Sequence, residues 1–257
     1  MKSKKIQPRS YLYPLGVAVI GIALWAALSA SGVFPHSSFP APMEVAAGIQ
    51  DEVKQGRMFQ DIIASLFRVT TGFLLAVVLG IPLGLVIGLH GGSKAALLPF
   101  VNFFRSLSPL AWIPFAILWF GVGDVPSIFL IFMSVFFPVV VSTMAAVSSI
   151  PSVHFRVARD YGLRGVEMLT QVTIPAIMPQ IITTLRVTAG LAWLVVVAAE
   201  MIAGRDGLGF LIWDARNGLR NDLVVVGMVV IGLIGIGIDR ILMQMTRIPS
   251  VRWGYER

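Results

Sequence analysis

Six long apolar runs, at about 14–33, 65–89, 97–120, 126–147, 176–203 and 223–245, constrain this chain more than any other feature. Each comes close to the roughly 20 apolar residues that a helix needs to cross a hydrocarbon core about 30 Å thick. The 257 residues are 56% hydrophobic and only 13% charged, with a mean hydropathy of +0.84. That balance leaves too little polar surface for a water-facing domain of this size. The expected fold is therefore an all-α membrane protein with about six transmembrane helices, forming one transmembrane domain over residues 1–257 with the lipid bilayer as its solvent.

An even number of crossings returns both termini to one side. Lys2, Lys4, Lys5 and Arg9 then share that side with Lys94, Arg156, Arg159, Arg164, Arg247, Arg252 and Arg257, while Lys54, Arg57, Arg205, Arg216 and Arg220 fall opposite. The excess of basic residues predicts that both termini are cytoplasmic. The first run is too long for the apolar core of a signal peptide, roughly 7–15 residues, and is expected to be a span. The net charge of +7 is not laid out as an aromatic-interleaved basic surface, so no nucleic-acid partner is expected. Cysteine is absent, which removes thiol catalysis, disulfides and thiolate metal sites. His36, His90 and His154 are scattered without ligand spacing, so no metal site is expected.

Residues 34–63 are expected to form an outer loop with a short surface helix after Pro42. Gly80, Gly84 and Gly88 recur every four residues, which puts three small residues on one helix face where another backbone can approach. The run Arg68-Val69-Thr70-Thr71-Gly72 is echoed by Arg186-Val187-Thr188-Ala189-Gly190 in a span of opposite expected direction. Inverted repeats occur in transporters, but five residues in so biased a composition read as coincidence.

The longest charged stretch on the expected inner face is the loop 148–175. Pro151 suits a helix start, Val153, Val157 and Tyr161 share a face by i, i+4 spacing, and Gly162 can take a left-handed turn. Val166, Leu169 and Val172-Thr173 then lead to Pro175. The pattern predicts a short helix, a glycine turn and a second helix entering the membrane. In arrangement and spacing it resembles the EAA loop of permease subunits in ATP-binding-cassette importers: Glu-Ala-Ala, three residues, Gly, nine residues, Ile-x-Leu-Pro. Here the run is Arg156-Val157-Ala158, Arg159-Asp160-Tyr161, Gly162, nine residues, then Val172-Thr173-Ile174-Pro175. Arg156 replaces the glutamate and Val157 an alanine, so any contact made by that carboxylate is not carried over.

The stretches SLFRVTTGF (65–73), GIPLGLVIG (80–88), FFRSLSPLAWIPFAILWFGVG (103–123), LRVTAGLAWLVVVAAEMI (185–202) and GLGFLIWDAR (207–216) extend the resemblance over nearly the whole chain. They narrow it to permeases for nitrate, sulfonate or taurine, and bicarbonate. The resemblance implies a type I importer fold in a bacterial plasma (inner) membrane and a small oxyanion as substrate, with the WDAR and AAEMIAG stretches closer to the sulfonate and taurine members. It further implies a second permease copy, as a homodimer, and a substrate-binding protein docking on the charged outer stretch 204–222. Separate ATPase subunits would carry the ATP and Mg, with no cofactor in this chain. Their groove would receive Arg156, Val157, Ala158, Arg159, Asp160, Tyr161 and Gly162, with Pro175 closing the motif; Val157 and Tyr161 would form the plug, and Arg156, Arg159 and Asp160 the polar rim. The sequence itself carries no phosphate-binding loop, the nearest run being Gly91-Gly92-Ser93-Lys94, so the chain is not expected to be an enzyme.

Charges inside spans cost roughly 2.5–3.5 kcal/mol on insertion scales and usually face a cavity or a partner. Arg105, Arg186 and Glu200 are such residues, with Arg68 nearer an end. The two arginines either give a translocation path its positive potential or serve structurally, by snorkelling or by capping carbonyls opened by Pro109 or Pro114. For Glu200 the structural role leads. Trp112 and Trp193 either line that path or pack in the core. An ion-coupled secondary transporter of a small anion is the alternative, but it should place acids in mid-membrane, where Glu200 is the single candidate.

Overall fold

The computed structural model describes residues 9–35 and 38–245, and every element among them is helical. The helices are α1 (Arg9–Ala30), α2 (Pro42–Lys54), α3 (Arg57–Leu89), α4 (Gly91–Ser106), a 3-10 turn (Pro109–Trp112), α5 (Ile113–Phe120), α6 (Asp124–Ser148), α7 (Ser152–Asp160), α8 (Gly165–Met168), a π-turn (Leu169–Thr173), α9 (Ile174–Ala203), α10 (Leu208–Asn217) and α11 (Asn221–Met245). Lys2, Lys4, Lys5, His36, Arg247, Arg252 and Arg257 lie outside the described residues.

Four helical stretches are long and apolar enough to cross a bilayer: Arg57–Leu89, Asp124–Ser148, Gly165–Ala203 and Asn221–Gln244. The run expected as one span over 97–120 is instead two helices meeting at 85°. The break follows from Pro109, whose ring disfavours a helical conformation in the residue before it; Leu107 and Ser108 are extended, at ψ 133° and 127°. The first expected span is helical, but its apolar part, Leu15–Ala30, is shorter than the other crossings. The second is longer than expected, because α3 starts at Arg57 rather than near residue 65 and runs for 33 residues.

The chain divides into two compact units, residues 1–59 with 211–230 and residues 60–210 with 231–257. In the first, Trp25 Nε1 donates to Pro40 O (3.1 Å) and Ser29 Oγ to Phe39 O (3.2 Å), tying α1 to the start of α2. Pro42 opens α2, where its missing N–H costs nothing, and Glu44 accepts from Ala41 N at 2.8 Å. Gly48 lets α2 approach Leu223 and Val226 of α11, which a Cβ would meet at 3.2 Å.

In the second unit α6 is central. The glycine stripe of α3 packs on it: an added Cβ would meet Ile131 from Gly72 at 2.8 Å, Val139 from Gly80 at 3.1 Å, Thr143 from Gly84 at 2.6 Å and Val147 from Gly88 at 2.9 Å. Each pair is separated by the same offset, since 131 − 72 and 147 − 88 both give 59, so α3 and α6 run parallel. Two consecutive parallel helices require the chain between them to return across the same distance. The α4–α5 pair does so along α6. Val101 packs with Val140 and Met144, Phe104 stacks on Phe137 at 5.3 Å, and Ile113 and Ala116 reach Leu130. The bent pair thus returns the chain along α6, which makes it a candidate for a fifth crossing. α9 lies antiparallel to α6, with Ile177 and Ile181 against Ala146 and Val147 and Ala203 O accepting from Gly123 N at 2.9 Å.

Candidate functional site

The loop from α6 to α9 is built almost entirely from local rules. Pro151, at φ −58° and ψ 135°, turns the chain out of α6 and caps α7 rather than opening its first turn. At the other end Leu163 N donates to Ala158 O (3.0 Å) and Gly162 N to Arg159 O (2.9 Å). These paired bonds close the helix in a Schellman motif, with Gly162 in the left-handed region at φ 85°. Nine residues of helix are marginal alone in water; α7 is anchored by Ala158, which is buried, and by half-buried Phe155 and Leu163. Val153, Val157 and Tyr161 form the outer face, and Tyr161 is 84% exposed. Arg156 and Asp160 are exposed as well. Arg159 is exposed too; its Nε donates to Phe155 O at 3.2 Å and it also lines a recess behind α7.

Beyond a second positive-φ glycine, Gly165, the chain is helical without interruption to Ala203, 39 residues in all. Pro175, lacking an N–H, sits just after the π-turn, where Thr173 Oγ1 donates to Met168 O at 3.2 Å. The widened turn absorbs the lost bond without breaking the rod.

Within the spans Arg68, Glu200, Arg186 and Asp239 are paired. Arg68 is 1% exposed. Its Nε donates to Asp124 Oδ1 (2.7 Å), and its Nη1 to Glu200 Oε1 (2.8 Å) and Asp206 O (2.8 Å); its Nη2 donates to the Asp206 carboxylate. Glu200, fully buried, also accepts from Ser65 Oγ (2.8 Å) and Gly209 N (2.9 Å). Asp61 Oδ1 accepts from Gly207 N at 2.8 Å. Gly207 has φ 101°, and a Cβ there would stand 2.5 Å from the Glu200 carboxylate. Its lack of a side chain is what lets the backbone wrap the acid. Glu200 is thus paired within its own chain.

Arg186 makes a two-pronged pair with Asp239 of α11, Nε to Oδ1 at 2.7 Å and Nη2 to Oδ2 at 3.0 Å. Asp239 is a second intramembrane acid beside Glu200, one that the sequence reading passed over. Trp193 is core: it is 5% exposed, its Nε1 donates to Ile231 O at 3.1 Å, and Gly235 makes room for its ring. Trp112 is half-buried in an aromatic cluster with Phe104, Phe115, Trp119 and Phe129. Arg105 differs from the other intramembrane arginines. It is exposed on the last turn of α4 and lines a cavity of about 200 Å³ with Phe104, Pro109, Ser134, Pro138 and Leu191.

In the first unit, Arg57 Nη2 donates to Asp214 Oδ2 at 2.6 Å. The Arg220 guanidinium forks onto Asp222 at 2.7 and 3.0 Å, and that hydrogen bond holds it above its ordinary value. Between them Leu219 takes φ 56°, in the αL position that ends α10.

Parallel and antiparallel apolar helices around α6, with a helical loop at one end, define a polytopic membrane protein. The chain belongs to the family described as binding-protein-dependent transport system inner membrane component, whose model matches residues 56–248. It is 34% identical to an ABC transporter permease protein of Methanocaldococcus jannaschii, over 93% of this chain and 91% of that one. Identity to the taurine transport system permease protein of Escherichia coli K12 is 32%, covering 88% and 84%. Identity to the nitrate import permease protein of Leptolyngbya laminosa is 38%, covering 70% and 64%. Its fold is similar to that of a chain in the crystal structure of a bacterial alginate ABC transporter in complex with alginate pentasaccharide-bound periplasmic protein, with a TM-score of 0.63 and 18% identity over 95% and 96% of the two chains. The chain is thus the transmembrane component of a binding-protein-dependent ABC importer, and not itself an ATPase.

Proposed function

We propose that the chain forms half of the translocation path for a small oxyanion of the sulfonate, taurine, nitrate or bicarbonate class, driven by separate ATPase subunits. The observation that carries this reading is the loop geometry. α7 offers an apolar outer face of Val153, Val157 and Tyr161 with Arg156 and Asp160 at its edge, the pattern of an apolar centre and polar rim that suits a protein groove. Because a Schellman turn links it to a 39-residue rod, a push on α7 is passed to α9. ATP and Mg belong to the ATPase, and nothing in this chain is assigned to hold them.

In this reading α1 supplies a sixth crossing, both ends face the cytoplasm of a bacterial cell, and residues 204–222 meet a substrate-binding protein outside. A second copy of the chain completes the path. Arg105 supplies positive potential to an anion beside the cavity at the α4–α5 bend. The sulfonate and taurine classes are supported by the WDAR and AAEMIAG stretches and by the long match to the taurine permease.

The test replaces the plug. In the assembled importer, Val157→Asp with Tyr161→Asp should abolish co-purification of the ATPase and transport-dependent growth on taurine, an alkanesulfonate or nitrate as sole source. Unimpaired growth of a strain lacking the chain on all three sources would reject the substrate class. ATPase binding that survives the double variant would reject the coupling role.

A further inference from the structure

The back of α7, the face turned away from the proposed ATPase groove, closes one side of a recess of about 510 Å³. Its floor is apolar, formed by Gly88 and Leu89 at the end of α3, Val147 at the end of α6, and Met168 of α8. Arg159 and Arg164 line it, and no carboxylate does. Asp160 and Glu167 lie next to these in sequence without lining the recess. A further cation stands close by, Lys94, whose Nζ donates to Ser148 Oγ at 3.1 Å, one residue beyond Val147. The volume is that of a small-molecule site.

The depth of the recess defines its occupant. It sits where two apolar spans, α3 and α6, end together, at the boundary between hydrocarbon and headgroups. A free oxyanion would be served by the two guanidinium groups but not by four apolar floor residues. A phospholipid uses both, its phosphate between the arginines and its first acyl carbons on Leu89, Val147 and Met168. Basic pockets between helices at the cytoplasmic boundary are the usual setting for anionic headgroups. We infer that this recess binds one anionic phospholipid, wedged between the coupling helix and the inner ends of α3 and α6. The lipid stiffens the lever from behind while its outer face stays available. The inference uses the proposed inner orientation of this end, but not the identity of the ATPase or of the substrate.

Native mass spectrometry of the full-length chain tests it, after reconstitution into phosphatidylglycerol or phosphatidylcholine vesicles and extraction into mild detergent. The wild type should retain one phosphatidylglycerol with about a thirtyfold preference over phosphatidylcholine, as two basic groups at an anionic surface would give. Arg159→Gln with Arg164→Gln should lose that preference. Ser152→Phe, which keeps both charges and narrows the recess that Ser152 lines, should lose the bound lipid as well. A charge-matched change outside the recess lining, Arg205→Gln with Arg216→Gln, should leave retention intact. Equal retention of the two lipids by the wild type would overturn the proposal, as would retention unaltered in both recess variants. Displacement of the lipid by millimolar inorganic phosphate would overturn it too, assigning the recess to a free anion. No ATPase is present in this measurement, so its outcome is separate from that of the coupling experiment.

Discussion

At the scale of single residues the chain is governed by one buried cation. Arg68 faces Asp124, Glu200 and Asp206, so its removal leaves three carboxylates around a site with no positive charge. Breaking a buried pair by deleting one partner costs about 3–5 kcal/mol. Arg68→Gln should lie at the top of that range, measured as thermal stability of the purified chain in detergent. Glu200→Gln, which keeps the acceptor for Ser65 or Gly209 and leaves Arg68 two acids, should cost about 1–3 kcal/mol. A larger loss for Glu200→Gln than for Arg68→Gln would show that the glutamate is the centre of the network. Leu219 presents the opposite case, a residue whose conformation works against it. Held at φ 56° and 84% exposed, it occupies a position where a Cβ is penalised by roughly 1–2 kcal/mol. Leu219→Gly should therefore stabilise the chain by about 1 kcal/mol, read as a rise in melting temperature.

At the scale of elements, what the sequence revealed depended on how far apart the interacting residues lie. The helix-turn-helix shape of the loop 148–175 is legible because its determinants are local: Pro151, the spacing of Val153, Val157 and Tyr161, and Gly162 act within one or two turns. The glycine stripe at Gly80, Gly84 and Gly88 was legible as a packing face because its period is helical, though its partner α6, 59 residues on, was not. The pairs Arg68 with Glu200 and Arg186 with Asp239 join residues 132 and 53 positions apart, and no local pattern encodes such a match. Asp239 was overlooked because the run around it remains strongly apolar on average. The break at Pro109 was misread for the reverse reason: hydropathy over 97–120 is continuous, and only the backbone rule at the residue before proline divides it. The two RVTxG runs gain a shared role in the fold, since each arginine is met by a carboxylate of another segment.

At the scale of the whole molecule, the open side of the cavity beside Arg105 carries the argument for assembly. Arg105 and Leu191 line that cavity and are exposed in the single chain; in the proposed function the cavity belongs to the path, and a path for a charged solute cannot leave a wall open to lipid, where an unpaired ion costs several kcal/mol. Another surface must cover it. The commonest arrangement for such a surface is a two-fold homodimer, in which the same patch faces itself. The intact importer should therefore contain two copies of this 27.8 kDa chain, measurable by native mass spectrometry; a single copy per assembly would overturn the arrangement. The role proposed for Arg105 rests on the same geometry. Arg68 and Arg186 are held by carboxylates, whereas among the described residues Arg105 has no acid within ion-pair distance, leaving its charge to the cavity. Arg105→Gln should lower uptake about tenfold or more, the loss of roughly 1.4 kcal/mol of attraction for an anion, without altering the two-copy mass or the melting temperature. Arg105→Lys should recover part of it, because a point charge keeps the potential but not the fork. Uptake unchanged in Arg105→Gln would move the path away from the α4–α5 bend.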